Sequence, residues 1–145
     1  MPKSNVRRMT RVNWLAILVS GFVMFGFGGL WYSVLFEQMW YDAMGPMHTQ
    51  MASGGTPYPY IVSLVMAFAT AYGLARMLAW RGPVNAGRGA FIGASMALLI
   101  FGSMTWVDYA FSGWGMTIGW INVGYVAVGM AIQGAILAVW KPRQT

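Results

Sequence analysis

The chain has 145 residues, of which 58% are hydrophobic and only 8% are charged. A soluble domain carries about 25% charged residues, so this composition excludes an ordinary water-soluble domain and indicates a membrane protein. The net charge of +6 would suggest nucleic acid as a partner for a soluble protein, but here the basic residues lie between apolar stretches and we expect no nucleic-acid binding. Because the chain has no cysteine, disulfides, thiolate metal sites and cysteine nucleophiles are excluded.

Four apolar stretches predict helices at about 13–36, 58–80, 89–111 and 118–140, in a single membrane domain. Each has the roughly 20 residues that a crossing needs. The first follows a basic segment, as a secretory signal does, but it is too long for a signal's apolar core and no small-x-small cleavage site follows it. Trp31 and Tyr32 close it as an interfacial anchor would, which favours a retained helix. The expected fold is an all-α integral membrane four-helix bundle.

Charged residues divide between the two ends of the predicted bundle. All nine basic residues lie before the first helix, around the turn between the second and third, and after the fourth: Lys3, Arg7, Arg8, Arg11, Arg76, Arg81, Arg88, Lys141 and Arg143. The three acids Glu37, Asp42 and Asp108 and the only histidine, His48, lie at the other end. Because Lys and Arg near helix ends are held in the cytoplasm, we expect both termini to be cytoplasmic, in a multi-pass protein of the bacterial inner membrane.

The connections between the helices differ in kind. Residues 37–57 form a long outer segment, in which methionine and tryptophan recur at helical spacing until Gly45-Pro46 interrupts them. This pattern is compatible with a short interfacial helix. The connection of residues 81–89 contains Gly82-Pro83 and predicts a tight turn, which makes the second and third helices an antiparallel hairpin.

Small residues recur at every third or fourth position on three of the predicted helices. These ridges are Ser63, Ala67, Ala71 and Ala75; Gly89, Gly93 and Ala97; and Gly124, Ala127, Ala131, Gly134 and Ala138. In lipid, small residues at this spacing let helix backbones approach closely. The ridges predict packing within one bundle, with self-association between chains as the alternative. The expected partners are therefore the lipid bilayer and either a homo-oligomer or a larger membrane complex.

Three polar residues interrupt the apolar stretches. Asn122 and Gln133 are eleven residues apart in the last helix, which is almost three full turns, so they share one face with Gly129. This stripe predicts either interhelical hydrogen bonds or the polar lining of a conduit. Asp108 lies just below the outer boundary, where it could cap a helix at the interface or pair with a tyrosine hydroxyl rather than act in a proton relay.

The outer segment is rich in soft donors. Met44, Met47, His48 and Met51 supply thioether sulfur and imidazole, which suit Cu(I). The alternative is that these methionines pack an interfacial segment, because the chain uses methionine freely as apolar filler. Copper is the one cofactor that the sequence suggests.

No enzyme motif is convincing, so we expect no catalytic activity. The glycine run of residues 87–93 follows no strand and opens a membrane helix, which is the wrong context for nucleotide binding. A Ser-His-Asp site would have to use His48 with Asp42 or Asp108, and no nucleophile elbow is present. A single histidine without cysteine disfavours zinc.

Motifs at both ends of the chain carry a family resemblance. Asn13-Trp14-Leu15, Gly29-Leu30-Trp31-Tyr32-Ser33, Asp108-Tyr109-Ala110-Phe111 and Ile121-Asn122-Val123-Gly124-Tyr125 resemble the bacterial domain-of-unknown-function family 1761, although Val34 stands where that family often has proline. The resemblance implies a small four-helix membrane protein without an established activity, and it marks Asn13, Trp31, Tyr32 and Tyr125 as motif positions.

Three functional hypotheses follow from these residues. The first is an interaction or accessory subunit that packs with itself or with a larger membrane complex, for which the ridges and two aromatic belts suffice. The belts are the tryptophans and tyrosines at the inner boundary, Trp14, Trp80 and Trp140, and at the outer boundary, Trp31, Tyr32, Trp40, Tyr58, Tyr60, Trp106, Tyr109, Trp114 and Trp120. The second is a conduit for an ion or small solute along Asn122, Gln133 and Asp108. The third is a periplasmic-side Cu(I)-binding membrane protein that uses the methionines and His48.

Overall fold

The computed structural model describes residues 12–46, 57–82 and 84–140, and all regular structure in these ranges is helical. The helices are α1 (Trp14–Leu35), α2 (Glu37–Met44), α3 (Tyr58–Arg81), α4 (Ala86–Ser112) and α5 (Met116–Val139). All except α2 are long and apolar enough to cross a membrane. The all-α membrane four-helix fold is therefore confirmed, and the short helix expected in the outer segment is α2.

Helix α5 is the centre of the bundle. Helices α1, α3 and α4 each pack against it, and α1 also packs against α3. Helices α3 and α4 are joined by a short connection, yet in the described residues α4 packs mainly on α5, and α3 packs on α1 and α5. The two helices of the predicted hairpin thus run in opposite directions, but α4 packs on α5 rather than on α3, because its glycine ridge contacts α5.

Glycine brings the backbones of α4 and α5 into direct contact. A Cβ atom added at Gly89 would overlap the carbonyl oxygen of Gly134, and one added at Gly93 would overlap that of Met130. The alanine ridge of α3 is also internal, since Ala71 and Ala75 are buried, in one cluster with Ile17 of α1. The glycine and alanine ridges are therefore used for packing within the chain. This agrees with the prediction of packing within one bundle.

Asparagine caps fix where two of the long helices begin. The Asn13 side-chain oxygen accepts hydrogen bonds from the backbone N–H groups of Leu15 and Ala16, at 3.1 and 3.3 Å, and its amide donates to the Trp140 carbonyl at 3.3 Å. The start of α1 is thereby tied to the end of α5. Asn85 caps α4 by accepting from the Arg88 N–H at 2.9 Å, so that α4 begins at Ala86 rather than near residue 89.

The two ends of the bundle carry opposite charge. We call the basic end the one where α1 and α4 begin and α3 and α5 end, with Arg76, Arg81 and Arg88. We call the acidic end the other one, where α2 lies and where Glu37, Asp42 and Asp108 are found. The structure thus brings the separated charges of the sequence to opposite ends.

Two of the long helices contain a π-helical segment, over Trp31–Leu35 in α1 and Ala97–Gly102 in α4. In α1 the Phe36 N–H donates to the Trp31 carbonyl at 3.0 Å, five residues back. A π segment rotates the residues after it relative to an α-helix, and such segments are frequent at functional sites. Both segments here lie in the part of their helix that precedes the acidic end.

Candidate functional site

The buried amide of Gln133 joins three helices in the middle of the bundle. Its side chain is fully buried, and its Nε2 donates to the carbonyls of Ala67 in α3 and Ser20 in α1, at 3.0 and 3.4 Å. Its Oε1 accepts from the Thr70 hydroxyl of α3 at 3.3 Å. Both amide protons therefore donate to groups within the chain, and Gln133 links α5 to α1 and α3 by hydrogen bonds.

Asn122 also links helices by hydrogen bonds, closer to the acidic end. Its Oδ1 accepts from the Tyr32 hydroxyl of α1 at 2.8 Å, and its Nδ2 donates to the Tyr109 hydroxyl of α4 at 2.6 Å. We call Tyr32, Tyr109 and Asn122 the tyrosine–amide cluster. Beside it, the Tyr125 hydroxyl donates to the Met24 carbonyl at 3.2 Å. The motif positions Tyr32, Asn122 and Tyr125 therefore lie together, although the sequence did not identify their hydrogen-bond partners.

The stripe between the two amides is closed by an apolar side chain. A Cβ atom added at Gly129 would lie 3.1 Å from the Met24 methyl carbon, and Met24 itself is buried. In the described part of the chain, every buried side-chain nitrogen and oxygen has a hydrogen-bond partner. Asn122 and Gln133 thus serve two separate sets of contacts within the chain. The conduit along Asn122, Gln133 and Asp108 stays a prediction.

Asp108 is placed differently from the two amides. It is exposed on α4, and among the described residues it makes no hydrogen bond or ion pair. The hydroxyl of the neighbouring Tyr109 accepts a hydrogen bond from Asn122 Nδ2 of α5. No tyrosine among the described residues donates to Asp108. Its surroundings on α4 are the exposed apolar side chains of Met104, Val107 and Phe111. Helix α4 is also the least buried of the four long helices.

A groove of about 250 Å³ opens at the acidic end between α1, α2 and α5. We call it the aromatic groove; it is lined by Trp31, Phe36, Met39, Thr117, Trp120 and Ile121. The ring of Trp31 is fixed because its Nε1 donates to the Ile121 carbonyl at 3.1 Å. The Phe36 ring centre lies 4.6 Å from that of Trp31, and Trp120 packs edge-on against Trp106 at 5.0 Å. The walls are therefore held in place by neighbouring residues.

Glycines make room for the tryptophans around the groove. A Cβ atom at Gly119 would lie 2.7 Å from the Trp106 ring, and one at Gly124 would lie 3.2 Å from the Trp31 ring. The sequence predicted an aromatic belt at this level but not a groove. In the sequence, Gly119 and Gly124 of α5 were the residues that could have indicated tight packing of tryptophan rings.

Of the candidate copper ligands, the structure describes one. Met44 is buried at the end of α2, whereas Met47, His48 and Met51 lie outside the described residues. Within those residues no group of three or more histidine, cysteine, aspartate or glutamate side chains is arranged to hold a metal ion. The copper site stays a prediction.

Four apolar helices, three of them packed around α5, define a multi-pass α-helical membrane protein. Residues 15–138 match the model of the family described as Protein of unknown function (DUF1761), and the chain belongs to that family. The match covers all four long helices and includes Trp31, Tyr32 and Tyr125, while Asn13 lies just before it. No curated protein and no solved structure matches the chain. The resemblance seen in the sequence is therefore confirmed.

Proposed function

We propose that the chain is an accessory subunit of a larger membrane complex and that it docks on its partner through the outward face of α4. This face comprises Met104, Val107, Asp108 and Phe111, all of them exposed. The observation that carries the proposal is Asp108, an acid on the surface of a membrane-spanning helix with no partner among the described residues.

An uncovered carboxylate on such a surface is unfavourable. Insertion scales assign Asp about 2.5–3.5 kcal/mol at the centre of a spanning helix. Asp108 lies one turn before the end of α4 at Ser112, so its own cost is smaller, yet its short side chain reaches less far towards water than Lys or Arg would. A partner that donates a hydrogen bond or a positive charge to Asp108 removes this cost.

Charge favours a different protein over a second copy of this chain. Two copies in one membrane have the same orientation, so Asp108 of one copy lies at the depth of the acidic end of the other. The chain has no Lys or Arg in residues 12–75 or 89–140 and thus offers no cation at that depth. The glycine and alanine ridges are also already used inside the bundle. A heteromeric complex therefore fits Asp108 better than a homo-oligomer.

The proposed location is the bacterial inner membrane, with the basic end and both termini in the cytoplasm. Its support is the position of all nine basic residues of the chain, which the positive-inside rule assigns to the cytoplasmic side. Asp108 and the aromatic groove would then lie at the periplasmic boundary. Proteins of the complex that expose a Lys or Arg side chain at that depth are the candidate partners.

Native mass spectrometry after mild extraction of the full chain tests the proposal. We expect the chain to leave the membrane in an assembly with another protein, and we expect Asp108→Leu to release it from that assembly. A photo-crosslinker at Met104 should capture the same partner, while one at Val65 of α3, which is also exposed, should not. A lone monomer, or an assembly of this chain alone, would contradict the proposal.

A further inference from the structure

The aromatic groove is open and mainly apolar. Five of its six lining residues are aromatic or aliphatic or carry a thioether, and the Trp31 N–H is already donated to Ile121. Water needs two to four polar partners to be held in such a space. Met39 and Trp120 are exposed at its rim, so an apolar chain can enter from the side. The groove therefore favours an alkyl chain over water.

Acidic residues lie beside the groove on α2. Glu37 stands between the lining residues Phe36 and Met39 in the sequence and is exposed in the first turn of α2. Asp42 lies five residues further along α2, where its carboxylate accepts from Gln38 at 2.8 Å. The whole acidic end has no Lys or Arg. A phosphate or carboxylate head group at the mouth of the groove would be repelled, whereas a cationic one would be attracted.

The tryptophan rings add a second preference for a cation. Trp31 and Trp120 lie on different walls of the groove, and Trp120 is 62% exposed. The faces of tryptophan rings attract alkylammonium groups, and walls of aromatic rings are used to recognise quaternary ammonium. The apolar walls thus favour an alkyl chain, and the acids and tryptophan rings favour a cationic head group on the same molecule.

We propose that the aromatic groove binds a single-chain cationic amphiphile, an alkyl chain that carries a quaternary ammonium head. The chain lies along Phe36, Met39 and Ile121, and the head lies at the mouth between the tryptophan rings and Glu37. This site is separate from the outward face of α4 and does not depend on the accessory role proposed above. A zwitterionic phospholipid fits less well, because its phosphate would lie near Glu37.

Equilibrium binding to the full chain in phosphatidylcholine nanodiscs tests the site. The probe is radiolabelled tetradecyltrimethylammonium, with tetradecanol and tetradecanoate as neutral and anionic competitors of the same chain length. We expect saturable binding that the unlabelled cation displaces and that the two other amphiphiles displace at least about tenfold less well, because only the cation interacts with the rings and the acid. Equal displacement by tetradecanol would overturn the proposal in favour of non-selective binding of acyl chains.

Two variants with matched controls locate the site. Trp120→Leu removes an exposed ring from the groove and should weaken binding about tenfold, and Glu37→Gln should weaken it several-fold. The controls are Trp80→Leu, which removes a 61% exposed ring at the basic end, and Asp108→Asn, which removes an acid outside the groove. Both controls should bind as the native chain does.

The two variants also separate a binding effect from a folding effect. If Trp120→Leu lowers the thermal stability, Glu37→Gln still tests the site, because Glu37 is exposed on α2. Unchanged binding in Glu37→Gln, or equal weakening in Trp80→Leu, would overturn the proposal. Neither groove variant should alter the assembly seen by native mass spectrometry, so failure here is distinguishable from failure of the accessory role.

Discussion

The two faces of α4 differ in how closely they pack and in how far their side chains are exposed. One face meets α5 through Gly89 and Gly93, so closely that an added Cβ atom would overlap a carbonyl oxygen. The other face exposes Met104 and Phe111, and Phe111 is 91% exposed. The inner face packs against α5, whereas the side chains of the outward face are exposed.

The polar residues of α4 also differ between its inner and outward faces. Tyr109 and Asp108 are neighbours in sequence, but Tyr109 hydrogen-bonds Asn122 of α5 and Asp108 has no partner among the described residues. Polar groups that face α5 thus stabilise the fold, while the polar group that faces away is free to contact another molecule. Substitutions on the two faces should therefore differ in what they change.

The largest effect is expected from Gly93→Ala on the inner face. The added methyl group overlaps the Met130 backbone, which cannot rotate aside as a side chain can, so α4 must shift away from α5. We expect a loss of about 1–3 kcal/mol in the free energy of unfolding, measured by reversible unfolding in mixed micelles. Gly73→Ala is the control, because nothing lies within 4 Å of a Cβ atom there. It should leave stability unchanged or raise it, since alanine favours helix over glycine; equal losses at both positions would contradict the close contact.

The next effect is expected from Gln133→Leu. This change removes three hydrogen bonds between α5 and the helices α1 and α3, each worth about 0.6 kcal/mol in a membrane protein, so the loss should be about 1–2 kcal/mol. The same unfolding measurement applies, with Gln38→Leu on the exposed surface of α2 as the control. Ion or solute flux in proteoliposomes should not depend on Gln133. A change in flux at unaltered stability would support the conduit hypothesis.

Tyr109→Phe should have a smaller effect that depends on Asn122. It removes the hydroxyl that accepts from Asn122 Nδ2, for an expected loss of about 0.6 kcal/mol. A double-mutant cycle with Asn122→Ala should show coupling between the two residues. The exposed Tyr60 provides the control, since Tyr60→Phe should not couple to Asn122. Additive effects of Tyr109→Phe and Asn122→Ala would mean that the hydrogen bond does not contribute.

The fold and the inner faces could be read from the sequence because they depend on local patterns. Apolar length predicts four helices, and glycine or alanine at every fourth position predicts which faces pack. Asn122 and Gln133 were recognisable as amides in an apolar helix. Their partners were not, because Thr70 and Tyr32 lie on other helices, and the facing of Tyr32 depends on a π segment that no residue pattern marks.

The aromatic groove could not be predicted for the same reason. Its walls come from residues 31–39 and 117–121, which are distant in sequence and meet only after α1 and α5 have packed. The sequence indicated which side chains lie at the boundary, since tryptophan prefers that depth. It could not indicate that they leave a space between them, because a cavity depends on the relative positions of whole helices.

The smallest effect on stability is expected from Asp108→Asn on the outward face, and it gives the sharpest test of the comparison. Because Asp108 is exposed and makes no hydrogen bond or ion pair with a described residue, the free energy of unfolding of the isolated chain should change by less than about 0.5 kcal/mol. The same substitution should weaken the assembly with the partner, as measured by the fraction of complex in native mass spectra. Tyr109→Phe should do the reverse, lowering the stability of the chain while leaving the fraction of complex unaltered. If both substitutions lowered stability alone, α4 would be no more than a packing element, and the carboxylate of Asp108 would face lipid and interfacial water without a docking role.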